Sequence, residues 1–167
     1  MTPTFPLPLH HSWPLFERGQ RFDLGHTFQP EARGFLDMVR PVETRALARA
    51  GIGRWSCDLN DNSLTWSDEV YAFFGQRPGT PARRAASVSL YRDESRVVME
   101  RLRAYAIKHR RGFTVDVEIR PDGGDYRWIR LTAAPICDKD RVVMLHGLKQ
   151  DVSAEYARQA VAVRAGR

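Results

Sequence analysis

The stretch PDGGDYRWIRLTAAPICDKDRVVMLHGLKQDVSAEY, Pro121 to Tyr156, decides the fold. Two β-prone runs, YRWIRLTAAP and RVVMLHGLKQ, flank the turn-forming CDKD, and PDGG supplies another turn ahead of them. Alternation puts Ile129, Leu131 and Ala133 on one face of the first strand, and Val143, Leu145, Gly147 and Lys149 on the same face of the second. The opposite face is apolar as well, with Trp128, Met144 and Leu148 and with His146 among them. A sheet with one solvated face is apolar on one side only. Both faces of this hairpin therefore call for cover.

Upstream, FTVDVEIR alternates strictly, so Phe113, Val115, Val117 and Ile119 share the inward face of a third strand. Before it, a helix is expected from Glu94 to His109, its apolar face holding Val98, Leu102 and Tyr105, with His109 at the same spacing. The basic KHRRG at 108–112 closes that helix, where cations meet the carbonyl end of its dipole. GRWSCDLNDNSLTW reads as a hairpin around NDN. SDEVYAFFG reads as a short helix with Ser67 as N-cap, Phe74 on its inner side and Gly75 as its stop. Residues 76–89 read as a turn-rich connection. Residues 31–50 carry helical periodicity through Phe35, Met38, Val39, Val42, Ala46 and Leu47, divided at Pro41, and residues 1–30 form a Pro-rich extension.

The order strand–strand–helix–helix–strand–strand–strand resembles the PAS sensory domain. GIGRWSCDLNDNSLTWSDEVYAFFG is similar to the opening of many PAS domains, and PDGGDYRWIR through GLKQDVS is similar to the C-terminal PAC half. The resemblance implies an α+β fold, a five-stranded antiparallel sheet with helices on one face, over 51–153. A flanking helical segment over 31–50 and a short tail over 154–167 complete the chain. It also implies a sensory module rather than an enzyme, with small ligands, where present, held between helices and sheet.

On that reading Phe74, Val98, Leu102, Tyr105, Val115, Val117, Ile119, Ile129, Leu131, Ala133, Leu145, Gly147 and Lys149 line the interior, either as a packed core or as a ligand pocket. Lys149 is the one charge on the inward face. It needs an anionic partner or a wet cavity; the favoured expectation is instead that the strand end frays and the side chain snorkels to water. Trp128, Met144, His146 and Leu148 form the outer face, to be covered by the 31–50 segment, a second copy or another protein. His146 there offers pH sensitivity, although a histidine so placed is more often simply a polar residue of that surface.

Flavin photosensors of the family are similar to one another in an Asn-Cys-Arg motif. The comparable SVSLYRDESRVV has no cysteine, which argues against that photochemistry. Haem-binding members use a histidine of the long helix; His109, between Lys108 and Arg110 at the helix end, reads as solvent-facing instead. Cys57 and Cys137 form no CxxC pair, and neither a phosphate loop nor a nucleophile–base motif is present.

The net charge of +6 comes mostly from scattered arginines, without a groove-reading motif, so a nucleic-acid partner is not favoured. No apolar run is long enough to span a bilayer, and the N-terminus lacks a signal-peptide pattern, so a cytoplasmic location without membrane insertion is expected. Eleven residues follow Tyr156, which leads to the expectation of a stand-alone module. Such a module acts by dimerising or by binding a signalling protein such as a histidine kinase or another PAS protein, with or without a small ligand. A ligand-free adapter and a basic nucleic-acid-binding domain are the alternatives.

Overall fold

A computed structural model describes residues 41–165. The Pro-rich extension and the first part of the 31–50 segment lie outside the described residues. In chain order the elements are α1 (Pro41–Arg49), β1 (Ile52–Asp58), β2 (Leu64–Trp66), α2 (Asp68–Phe73), α3 (Arg84–Ser89) and α4 (Asp93–His109). Then come β3 (Phe113–Ile119), β4 (Arg127–Asp138), β5 (Arg141–Asp151) and α5 (Ser153–Ala165). The strands form one antiparallel sheet in the order β2-β1-β5-β4-β3. The first and last strands of the set thus meet at its middle, and the chain crosses between the two edges through α2, α3 and α4.

Local chemistry sets the turns. In the β1–β2 hairpin, Asp58 Oδ1 accepts from the Asn60 amide and Asp61 Oδ1 accepts from the Ser63 amide, each 2.8 Å, while Asn62 takes a left-handed conformation at φ 59°. Such Asx turns are what Asp and Asn offer at a tight bend. Ser67 stands at the N-cap of α2, but its hydroxyl does not cap the helix. It accepts from the Arg54 amide at 3.0 Å and donates to Glu69 at 2.6 Å, tying α2 to β1.

Three expectations need correction. The connection at 76–89 contains a helix, α3. In α4 the buried positions are Met99 and Ala106, with Leu102 half-buried between them, while Tyr105 is 42% exposed. The inward face is displaced by one residue because small Ala106 marks the close approach and large Tyr105 does not. Between β4 and β5 the register shifts at Ile136 and Cys137, which pair with Met144 and Val142, so Val142 rather than Val143 of β5 joins the core. A bulge of this kind inverts the facing of every residue on one side of it.

The inner face of the sheet contains one continuous cross-strand row: Trp66, Trp55, Gly147, Ala133, Phe113. Two indoles stand at one end, a phenyl ring at the other, and the two smallest side chains lie between. The Trp55 indole N–H donates to the Thr132 carbonyl at 3.2 Å, reaching across Gly147 to a strand that β1 does not pair with. A Cβ built on Gly147 would collide with that carbonyl. Gly147→Ala is therefore expected to destabilise the fold by about 3 kcal/mol or more, at the upper end for overpacking, measured as a lowered urea midpoint. A neutral midpoint would show that the row tolerates a side chain.

Candidate functional site

Between the inner face of the sheet and helices α3 and α4 lies a cavity of about 60 Å³. The sheet contributes Trp55, Cys57, Leu64, Trp66, Phe113, Leu131, Leu145 and Lys149 to its wall. The helical side contributes Arg84, Ser87, Val88, Met99 and Arg103, with Tyr91 between α3 and α4.

Lys149 is the charged residue at the heart of this wall. It pairs with Leu131 of β4 and Gly53 of β1, and it is 5% exposed. The strand does not fray there, so the snorkelling expectation is corrected: Lys149 is buried, and pairing with β4 continues through Asp151. The Nζ donates to the Tyr91 hydroxyl at 3.2 Å. Four rings surround it, with centroids at 4.4 Å for Phe74, 5.6 Å for Trp55, 5.7 Å for Trp66 and 5.8 Å for Tyr91. These rings pack on one another, Trp66 stacking on Phe74 at 4.7 Å. An ammonium over aromatic faces recovers part of its lost hydration through the ring quadrupoles. Burial still dominates and pushes the Lys149 pKa down to about 7. The same burial raises the Tyr91 hydroxyl.

The other expected interior residues divide into two groups. Leu131, Leu145 and Lys149 border the cavity. Phe74, Val115, Val117, Ile119, Ile129 and Ala133 are buried in the core, Gly147 forms the floor of the row, and Val98 and Leu102 are half-buried against it. Tyr105 belongs to neither group: it lies outside, its ring 4.2 Å from that of His109. His109 is exposed at the last residue of α4, away from the cavity. The α3 contribution was missed in the sequence, although Arg84, Ser87, Val88 and Tyr91 have the i, i+3, i+4, i+7 spacing of a helix face. Among the described residues no group of three or more His, Cys, Asp or Glu side chains is placed to hold a metal.

The outer face carries a second arrangement, at the start of α5. Trp128 stacks on Tyr156 with ring centroids 4.0 Å apart and planes within 5°. Arg130 grips Asp116 through two hydrogen bonds of 2.9 and 2.8 Å and reaches Glu155 of α5 at 3.2 Å. Tyr156 donates to the same Asp116 carboxylate at 2.9 Å. At the corner Asp151 accepts from the Ser153 amide, and the Ser153 hydroxyl accepts from the Trp128 amide. Trp128 is thus covered by the chain's own helix. Met144 and Leu148 are half-buried, and His146 is 1% exposed. Burial pushes the His146 pKa down to about 4.

The family's sequence profile, described as the PAS fold, matches residues 63–147, just over half of the chain. Among solved structures, a sensory box histidine kinase/response regulator from Burkholderia thailandensis superposes with a TM-score of 0.63 at 19% identity, covering 75% of this chain and 94% of the other. The N-terminal domain of a diguanylate cyclase with PAS/PAC sensor from Marinobacter aquaeolei gives 0.58 at 17% identity, covering 63% and 98%. A domain of the putative light and redox sensing histidine kinase from Haloarcula marismortui gives 0.54 at 14%, covering 66% and 98%. Sequence comparison with curated proteins finds no match. The chain belongs to the PAS family. No helix among the described residues is long and apolar enough to cross a membrane.

The sign of the Lys149 effect on stability follows from its lowered pKa. The unfolded lysine ionises at about 10.5 and the folded one at about 7. Between those values the unfolded chain holds the extra proton, so stability rises with pH across that window. Below it the full cost of the buried charge is present. Relative to Lys149→Met, the parent protein is expected to gain on the order of 3 kcal/mol between about pH 6.5 and 9.5, measured by urea denaturation of both at each pH. A constant difference would show that Lys149 ionises as it does in water.

Proposed function

We propose that this PAS domain is a sensory module in which the cavity around Lys149 takes a small ligand and helix α5 carries the response to a signalling partner or a second copy. The observation that carries this reading is the continuity of β5 from cavity to helix. Lys149 faces the cavity, and two residues later Asp151 holds the amide of Ser153, the first residue of α5. On β4 the same continuity runs from Leu131 in the cavity wall to Arg130 and Trp128, which grip Glu155 and Tyr156. A ligand that favours one setting of these strands biases the position of α5, provided it binds the two settings with different affinity.

The form of α5 supports its role as output. Its first turn docks through Ser153, Glu155 and Tyr156, while Ala157 through Val163 are exposed, Val161 at 67% and Val163 at 64%. A helical segment this short, without a packing surface of its own, has little stability in water. Pairing with another helix supplies that surface. A histidine kinase or another PAS protein is the kind of signalling partner that the family likeness suggests, an argument by analogy.

Native and denaturing mass spectrometry of the full chain, with sedimentation of the parent and of a Val161→Glu/Val163→Glu variant, tests both halves. The expected result is a small mass that leaves on denaturation, and an oligomer or partner complex that the double variant loses while keeping its fold. A chain that is free of ligand and monomeric at every concentration, with the variant indistinguishable from the parent in partner binding, contradicts the proposal.

A further inference from the structure

We propose that the cavity selects a short apolar monocarboxylate, with the carboxylate on the Lys149 ammonium and the alkyl body against Val88, Met99 and Leu64. The inference rests on the cavity being a ligand site, as above, and adds the chemical class of the ligand.

Charge is the first argument. The charged side chains in the cavity wall are Arg84, Arg103 and Lys149, all cations. Arg84 is paired with Glu100, and Arg103 donates to Asn62. Lys149 has no carboxylate partner among the described residues. Its hydrogen bond goes to the neutral Tyr91 hydroxyl, which leaves ammonium N–H groups to donate elsewhere. Aromatic faces offset part of the cost of the buried charge, but a carboxylate offsets more, because it supplies both an opposite charge and hydrogen-bond acceptors.

Apolarity and size narrow the class. Away from Lys149, Leu64, Val88, Met99 and Phe113 offer an apolar tail carbon and sulfur, while the other cations of the wall are already engaged, Arg84 by Glu100 and Arg103 by Asn62. About 60 Å³ is space for roughly four to six non-hydrogen atoms, taking roughly 10–15 Å³ for each water-sized position. A carboxylate with a tail of about three carbons fits that limit.

Binding is non-covalent and coupled to a proton. A carboxylate favours the protonated lysine, so binding near neutrality takes up a proton, and affinity falls as the pH rises above neutral. The other titratable or charged groups facing the cavity are the Tyr91 hydroxyl, the Cys57 thiol, Arg84 with Glu100, and Arg103. Burial raises both the tyrosine and the cysteine, so neither gains charge in that range.

Isothermal titration of the full chain with butyrate and with its neutral isostere butyramide, at about pH 6.5 and 8.5, tests the proposal. Butyrate is expected to bind at pH 6.5 at least about tenfold more tightly than butyramide, and to lose about tenfold or more at pH 8.5. Lys149→Met, with unchanged circular dichroism, is expected to lose the butyrate preference. Equal binding of acid and amide overturns the carboxylate class and leaves the cavity as a ligand site. Absence of binding by both overturns the class and the ligand-site reading together. Butyrate binding that persists in Lys149→Met overturns the role of the lysine. Should that variant not fold, the acid–amide comparison and its pH dependence in the parent decide the question.

Discussion

The closure of the sheet by Trp55 across Gly147 is the contact on which the rest of this molecule depends. β1 and β5 are far apart in sequence, so their pairing closes a long loop before it returns any stabilisation. The indole makes that pairing specific. It lies over the one position in β5 without a side chain and hydrogen-bonds to β4 beyond it. Three strands are fastened by one residue.

Lys149 shows how the site is sustained. A buried ammonium is costly, and an isolated one would neutralise or move to water. Here it is fixed in place by strand pairing on both sides and enclosed by Phe74, Trp55, Trp66 and Tyr91. The strain is electrostatic rather than conformational, and it sits two residues from the corner that positions α5. A buried group able to change its charge state is thereby placed two residues from the corner that leads into α5.

Much of this was legible in the sequence. The strict alternation of Phe113–Ile119, the Trp-bearing hairpin and the turn PDGG fix the strands without reference to any partner. Alternation even placed Lys149 inward; the expectation of fraying discounted it, because sequence does not show that β1 and β4 both continue to pair beside it. The exchange of Val142 for Val143 was not legible, since a bulge is a property of pairing between two strands and not of either alone. Tyr105 misled for a related reason: a reading that follows large apolar side chains overlooks Ala106, whose smallness is what allows the helix to approach. The cover of Trp128 by Tyr156 was hidden because nothing in DVSAEY shows that the chain turns back on its own sheet.

Lys149 is an interior lysine within an aromatic enclosure, and its titration reports that placement directly. The chain has three lysines, Lys108, Lys139 and Lys149, so a carbon-detected NMR titration of the lysine Cε resonances resolves each one. One resonance, absent in Lys149→Met, is expected to titrate with a midpoint near 7 and to be shifted by the surrounding rings. Three resonances titrating together near 10.5 would contradict it, and with it the placement of Lys149 in the cavity.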